Sequence, residues 1–380
     1  MLLLSLLCGI VQAGSLDFRE HTIASDLKGG YQVVAADING DRKPDLIALA
    51  SGMTDLVWFE NPGWARHVIA SGLSRMINLA VVRSNDDGIP DMLLAHEFSN
   101  QAAKSAGILS LLESRGDPKA QWTAREIDRL PTSHRLRTAD IDGKGAPVVI
   151  NAPLTGAEAQ APDYRGHTPL VFYRLGVWKR ERIGEENEGV VHGLAVVDWD
   201  GDGRDDVLTA SFSGIHLYRR SADRWLRTEI AKGNPAPWPK SGASDIAVGR
   251  LGKIRFLASI EPWHGEQLVV YRAVSGVWQR KVIDTTLVDG HTVSAADLNG
   301  DGRDEIIAGY RGKGRSVYLY QASDESGSQW KRTVLDDGGI SAAACTTADL
   351  NMDGAPDIAC IGSVTANLKW YENLNNPRRR

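Results

Sequence analysis

Apolar and polar positions alternate in short runs along the whole chain, and the runs recur in a fixed order. VVAADINGDRKPDLI from Val33 is followed by LVWFEN from Leu56 and then by WARHVIA from Trp64. Each piece returns seven times at a spacing of about 52 residues, the first restarting near Leu79, Arg135, His192, Ser244, His291 and Ala343. The second piece recurs from Leu109, Leu170, Ile215, Leu268, Val317 and Leu368, and its alternation, β-branching and aromatics predict strands. The third opens on Trp64, Trp122, Trp178, Trp225, Trp278 and Trp330, which accounts for six repeats. The seventh copy is FREHTIA from Phe18, at the opposite end of the chain, while the last repeat stops after Trp370-Tyr-Glu-Asn without an outer strand of its own. An orphan first strand and an incomplete last repeat complete one another in a closed ring, which removes two open sheet edges. A solenoid would carry polar capping repeats instead. The expected fold is all-β: a seven-bladed β-propeller with four antiparallel strands per blade, closed by the N-terminal strand.

Length alone suggests two or three domains, but the repeats reduce the count to a signal segment, 1–13, and one propeller, 14–380. The 42% hydrophobic and 24% charged content is that of an ordinary globular chain and excludes disorder and collagen. A formal net charge of −5 argues against nucleic acid as a partner, since neutralising phosphates needs a basic excess. Leu2 to Val11 is a short apolar run, and Val11-Gln12-Ala13 sets small residues where a signal peptidase cuts, so the chain is expected to be secreted or periplasmic. The Met-Leu-Leu-Leu opening lacks the usual basic residues, which leaves two alternatives: a true start a few residues upstream, or a buried strand in place of a signal. No run approaches the roughly 20 apolar residues of a transmembrane segment. After cleavage Cys345 and Cys360 remain, either as a disulfide between neighbouring strands or as two buried thiols.

Between the first and second strands of each repeat lies a nine-residue loop with oxygen-bearing side chains at positions 1, 3, 5 and 9. Four blades carry it intact: Asp37, Asn39, Asp41 and Asp45 in blade 1; Asp198, Asp200, Asp202 and Asp206 in blade 4; Asp297, Asn299, Asp301 and Glu305 in blade 6; Asp349, Asn351, Asp353 and Asp357 in blade 7. Hard oxygen ligands at alternate positions, with a glycine for the turn, suit Ca²⁺. The plainer reading, that Asp, Asn and Gly are good turn formers, does not require the carboxylate at position 9. Blade 2 has Arg83 at position 1, where its guanidinium could stand in for the cation beside Asn85, Asp87 and Asp91. Blade 3 has Lys144 and Val148, and blade 5 shortens the loop to Gly249–Gly252, so these three are expected to hold no ion. The DxDGDGxxD loop between apolar strands resembles the FG-GAP/VCBS repeat family of propellers, also seen in integrin α heads. That resemblance covers residues 16 to 374 and implies that Ca²⁺ stabilises blades, without implying catalysis.

Strand direction alternates within a blade, so the acidic loops mark one face of the disc. The blade-to-blade connections and second-to-third loops form the other. Six residues before loop position 1 stand Tyr31, Ile77, His134, His192, Ser244, His291 and Ala343, so three blades begin their innermost strand beside the axis with a histidine. A lone histidine is more often a satisfied structural residue than a base or ligand, but three in register converge on a funnel. Second-to-third loops add Glu261 and His264 in blade 5 and Tyr310 and Arg311 in blade 6 on the same rim. The candidate catalytic set is therefore His134, His192, His291, His264, Glu261, Tyr310 and Arg311.

HGLAVVDWDGDG from His192, EPWHG from Glu261 and DGHTVSAAD from Asp289 are similar to the propeller of the aldos-2-ulose dehydratase family. The resemblance implies elimination of water, or of a glycosyl group, from a keto-sugar at a metal-assisted site. The family's fungal enzyme adds cupin-type and lectin-like parts for which this chain has no room, so the isomerase half of its chemistry is not implied. The residues are compatible with elimination. Histidine can remove a proton α to a carbonyl near neutral pH, and a divalent metal, Arg311 or Tyr310 can steady the enolate. Glu261, His264 or Tyr310 can protonate the leaving oxygen. Three histidines equally form a Zn²⁺-type site with an open position, so the expected cofactors are Ca²⁺ in the loops and a second divalent ion, Mg²⁺ or Zn²⁺, at the axis. Two other readings stay open: a non-catalytic disc that binds a glycan or protein, with Trp263 and Trp238 stacking on sugar, and a purely structural Ca²⁺-dependent module.

Overall fold

The computed structural model describes residues 16–85, 88–222 and 224–375; the expected signal segment and Asp87 lie outside them. Among the described residues, twenty-eight strands form seven four-stranded antiparallel sheets, with one short 3-10 turn at Ala102–Lys104. The seven-bladed propeller read from the repeats is the fold observed. The ring closes as expected: β1 (Phe18–Ala24) pairs antiparallel with β28 (Leu368–Asn373) on the outside of blade 7, and the Leu374 N–H donates to the Asp17 carbonyl at 2.9 Å.

Burial grades across each blade. The second strands, such as β3 (Asp45–Ala50) and β23 (Glu305–Tyr310), are buried along their whole length, because a neighbouring blade covers each face. Their sequences, DLIALA and EIIAGY, are accordingly apolar without a clean alternation. Outer strands such as β5 (Ala65–Ala70) and β17 (Arg224–Ala231) are exposed over much of their length. Their opening tryptophans cap the apolar layers, with Trp330 edge-on to Phe256 at 5.2 Å and Trp225 against Phe172 at 6.3 Å.

A second device ties blades together. In blades 3, 4, 6 and 7 the tyrosine of the third strand donates to a carboxylate that ends, or just follows, the preceding blade's outer strand. The pairs are Tyr173 to Asp128 at 2.7 Å, Tyr218 to Glu188 at 3.2 Å, Tyr320 to Asp284 at 2.8 Å and Tyr371 to Asp336 at 2.7 Å. A cation completes each latch: Arg180, Arg227, Arg332 and Lys369 respectively. Blades 1 and 2 have Phe59 and Leu112 in place of the tyrosine. In blade 5 the carboxylate comes from elsewhere: Tyr271 and Arg280 close on Glu261.

Cys345 and Cys360 are register partners on β26 (Ala342–Ala348) and β27 (Asp357–Gly362) and are joined by a disulfide, which decides between the two alternatives. The blade 5 hairpin is tighter than expected. Its strands β18 (Ile246–Leu251) and β19 (Ile254–Glu261) pair up to Leu251 and Ile254, leaving a two-residue turn at Gly252 and Lys253.

Candidate active site at the axial histidine ring

One backbone irregularity builds the ring. In the first-to-second strand ladders of blades 1, 3, 4, 6 and 7 the register slips by one residue, at Gly30/Gln32, Ser133/Arg135, Val191/Gly193, Gly290/Thr292 and Ala342/Ala344. The skipped residues are Tyr31, His134, His192, His291 and Ala343. A β-bulge leaves its extra residue outside the ladder and re-aims the side chain, here toward the axis. The rings meet: the His134 and His192 centroids are 5.0 Å apart, His192 and His291 5.0 Å, and Tyr31 and His291 5.3 Å. His264, from the second-to-third loop of blade 5, joins them at 4.9 Å from His192 and 5.1 Å from His291.

These side chains line a cavity of 240 Å³ together with Phe98, Trp263 and Arg311. Nitrogens of His192, His264 and His291 all lie within 4.8 Å of one another. The Nε2 atoms of His192 and His264 are 3.3 Å apart, which is about the edge of a tetrahedron with 2.0–2.1 Å metal–nitrogen bonds. Outer contacts orient the rings. His291 Nδ1–H donates to the Ala343 carbonyl at 2.5 Å, which leaves Nε2 as a lone pair, and that atom is buried without a partner. His192 Nδ1 meets the Ser244 hydroxyl at 3.2 Å, and Arg135 donates to the His192 carbonyl at 2.9 Å. His264 Nδ1 lies 3.3 Å from Asp289, which also pairs with Arg311 at 2.9 Å. A carboxylate behind a histidine that faces a shared point is a recurrent outer shell of metal sites. The donor set thus fits a divalent ion, and three imidazoles favour Zn²⁺ over the all-oxygen preference of Mg²⁺.

Electrostatics keep the ring neutral. Burial, then the cations Arg135 and Arg311, hold His134, His192 and His291 well below the usual imidazole range, and burial with Arg311 brings His264 down to about 4. Neutral imidazoles are ligands or bases, not acids. On the opposite side of the ring Tyr31 and His134 form a hydrogen bond of 2.7 Å between the phenol oxygen and Nε2.

Five of the seven residues expected at the site are there: His134, His192, His264, His291 and Arg311. Glu261 is not. Its carboxylate turns into blade 5, fully buried, and serves the Tyr271–Arg280 latch, where burial pushes it up to about 7. Tyr310 is not either: its hydroxyl packs toward Tyr318 at 3.3 Å inside blade 6. Asp289 and Tyr31 are present without having been singled out. Tyr31 shares the register position of the three histidines, a signal that was in the sequence.

On the far face, the acidic loops stand between first and second strands as expected. Position 1 of each intact loop caps backbone N–H groups across the turn: Asp37 accepts from Gly40 and Arg42, Asp198 from Gly201 and Gly203, Asp297 from Gly300 and Gly302, and Asp349 from Asp353 and Gly354. Position 9 is turned inward. Burial and the nearby loop carboxylates raise Asp45, Asp206 and Asp357 to about 6 and Glu305 to about 7. In blade 4 the carboxylates of Asp198, Asp200 and Asp202 lie within 4.8 Å of one another, a donor set that fits a hard cation, though Arg219 and Arg204 already pair with Asp200 and Asp202. In blade 2, Arg83 donates to the Gly88 carbonyl at 3.3 Å.

Residues 106–274, which include the bulged histidines of blades 3 and 4 and His264, match the profile of the aldos-2-ulose dehydratase β-propeller domain. The chain is similar to that domain. Residues 297–360 match the FG-GAP-like repeat, which contains two of the acidic loops. The aldos-2-ulose dehydratase of Phanerodontia chrysosporium is 26% identical over 330 residues, covering 77% of this chain and 36% of the relative. The chain therefore spans about a third of the length of the curated relative it matches. A chain of the crystal structure of BBS1N in complex with ARL6DN superposes with a TM-score of 0.58 at 11% identity, covering 94% of this chain and 96% of that one, a likeness of fold. No helix among the described residues is long and apolar enough to cross a membrane.

Proposed function

We propose that this chain is a secreted or periplasmic, calcium-stabilised carbohydrate lyase that eliminates water or a glycosyl group from a keto-sugar at the axial ring. The observation that carries this reading is the convergence of His192, His264 and His291 beside Arg311, at the mouth of a propeller similar to that of a dehydratase. The Cys345–Cys360 disulfide supports an oxidising compartment. A divalent ion held by His192, His264 and His291 would supply Lewis-acid polarisation of the keto oxygen.

The remaining steps belong to side chains. Arg311, fixed by Asp289, donates to an oxygen of the sugar and orients its ring. The Tyr31–His134 pair moves the proton: both residues line the cavity, and Nε2 at 2.7 Å accepts the phenol proton as Tyr31 takes the one α to the carbonyl. The C–O bond then breaks, and the same pair returns the proton to the leaving oxygen, so the elimination balances. Phe98 and Trp263 exclude water from the cavity wall.

The test is incubation of the chain, with Zn²⁺ or Mg²⁺, with a panel of keto-hexoses and keto-glycosides, following the ultraviolet absorbance of the enone. Turnover that falls at least about 100-fold in H291A and in Y31F is expected. Saturable sugar binding with no enone would overturn the reading in favour of a glycan-binding disc.

A further inference from the structure

Below the histidine ring the propeller axis is a channel of 710 Å³ that runs from Tyr31 and His291 toward the acidic face. Two arginines project into it from one strand. Arg135 and Arg137 are two residues apart on β10 (Ser133–Ala139), so they share the axial side of the strand, while Leu136 between them is buried in the blade. The channel residues level with Arg137 are short, among them Val34, Ala80, Ser294 and Thr346, which leaves open space around its guanidinium.

Neither arginine has an ion-pair partner among the described residues. Arg137 donates to two neutral oxygens, the Leu136 carbonyl at 2.8 Å and the Asn78 side chain at 3.4 Å. Arg135 donates to the His192 carbonyl, comes within 3.4 Å of His192 Nε2, and faces Tyr31 at 5.6 Å. Asp245 lines the same channel but accepts from the Val293 N–H at 3.1 Å. Burial lowers Arg137 only to about 10, so it is cationic at neutral pH. Asp245 attracts both guanidinium groups, and Arg42 and Asp37 line the end of the channel at the acidic face, so three arginines against two carboxylates leave an excess positive charge, with Arg135 buried and Arg137 half-buried. The open space beside Arg137 has room for an anion, and the guanidinium fork matches the spacing of oxyanion oxygens.

We propose that this channel binds a small oxyanion, a carboxylate or phosphate group, between Arg135 and Arg137. The site goes beyond the lyase reading and does not depend on it. The anion has two possible sources. One is a free inorganic ion entering from the acidic face. The other is the acid group of a sugar seated at the ring, since Arg137 is three residues, about 10 Å, along the strand from His134.

The experiment uses inorganic phosphate and the full chain. Phosphate at low millimolar concentration, below the range where such salts stabilise by exclusion, should raise the melting temperature saturably over chloride at matched ionic strength. It should also broaden the phosphorus resonance. Arg137→Met should abolish both effects, and Asp245→Asn, which removes the competing charge, should tighten binding at least threefold. No excess over chloride, or an unchanged response in R137M, overturns the proposal. If R137M does not fold, D245N decides it, and unaltered affinity there overturns it. Glucuronate that displaces phosphate identifies the anion as a sugar acid; failure to displace it identifies a free ion. Turnover of neutral keto-sugars tests the lyase reading separately, so either can fail alone.

Discussion

At the scale of the residue, what the axis displays is set by one extra residue per inner strand. Ile77 and Ser244 stand in blades whose first ladders run without a slip; Ile77 stays in the apolar core, and Ser244 reaches the ring only from behind, through its hydroxyl on His192 Nδ1. The same scale explains why Glu261 and Tyr310 are elsewhere. Tyr310 and Arg311 are adjacent, and successive side chains on a strand point to opposite sides, so one of them faces the ring while the other enters the blade. Glu261 supplies the carboxylate that blade 4's outer strand, ending at Ala231, does not. E261Q should therefore keep most of its enone-forming activity, where H291A loses it.

Its effect should be on stability as a function of pH. The folded value of about 7 lies above the unfolded 4.5, so the folded chain holds this proton more tightly. That contribution is complete below about 4.5 and is lost as pH rises through about 7. Melts of E261Q, which cannot ionise, should gain on the wild type between about pH 5 and about pH 8. E188Q should behave in the opposite way. Glu188 is held low, despite its burial, by His216, Ser211, Ser213 and Arg227. Its contribution is present at neutral pH and vanishes as pH falls through its depressed value, so E188Q should be about 1–3 kcal/mol less stable at neutrality and converge with the wild type in acid.

At the scale of the element, strands and loops follow directly from the spacing of residues. A nine-residue acidic loop recurs between apolar runs, and the structure places it there four times intact. Chelation with EDTA should lower the melting temperature by several degrees, and a melt that does not move would make the loops turns alone. D200N combined with D202N should reduce the EDTA effect, since these carboxylates converge with Asp198. Within the site, the histidine positions were legible because each repeat supplies a common register. Tyr31 was legible by position and was missed by residue type. Asp289 was not legible, because its role arises only when the connection entering blade 6 lies against the blade 5 loop that carries His264. The latches show the same limit. Tyr173 and Asp128 are 45 residues apart and belong to different repeats, so no local pattern joins them. The channel arginines were visible in the sequence as Arg135 and Arg137, but their lack of an ion pair is a property of the closed ring.

At the scale of the whole molecule, the ring's closure and its site depend on each other. The polar axial groups come from blades 1, 3, 4, 5 and 6; blade 7 packs its inner strands against blades 6 and 1 and owes its outer strand, β1, to the other end of the chain. The disulfide lies between the two inner strands of that blade and leaves the β1–β28 contact to hydrogen bonds and side chains. Trp370 shows how much rests on it: its ring stacks on His21 of β1 at 4.5 Å and meets Trp64 of blade 1 edge-on at 5.6 Å. Deleting residues 16–24 should expose the ladder edge of β28, and an unpaired edge recruits another chain. The deletion variant should melt several degrees lower and self-associate by light scattering. A synthetic peptide of residues 16–25 added in excess should restore the monomer and raise the melting temperature toward that of the full chain. A deletion variant that stays monomeric with an unchanged melt would mean that blade 7 holds as three strands and that ring closure does not rest on the N-terminal strand.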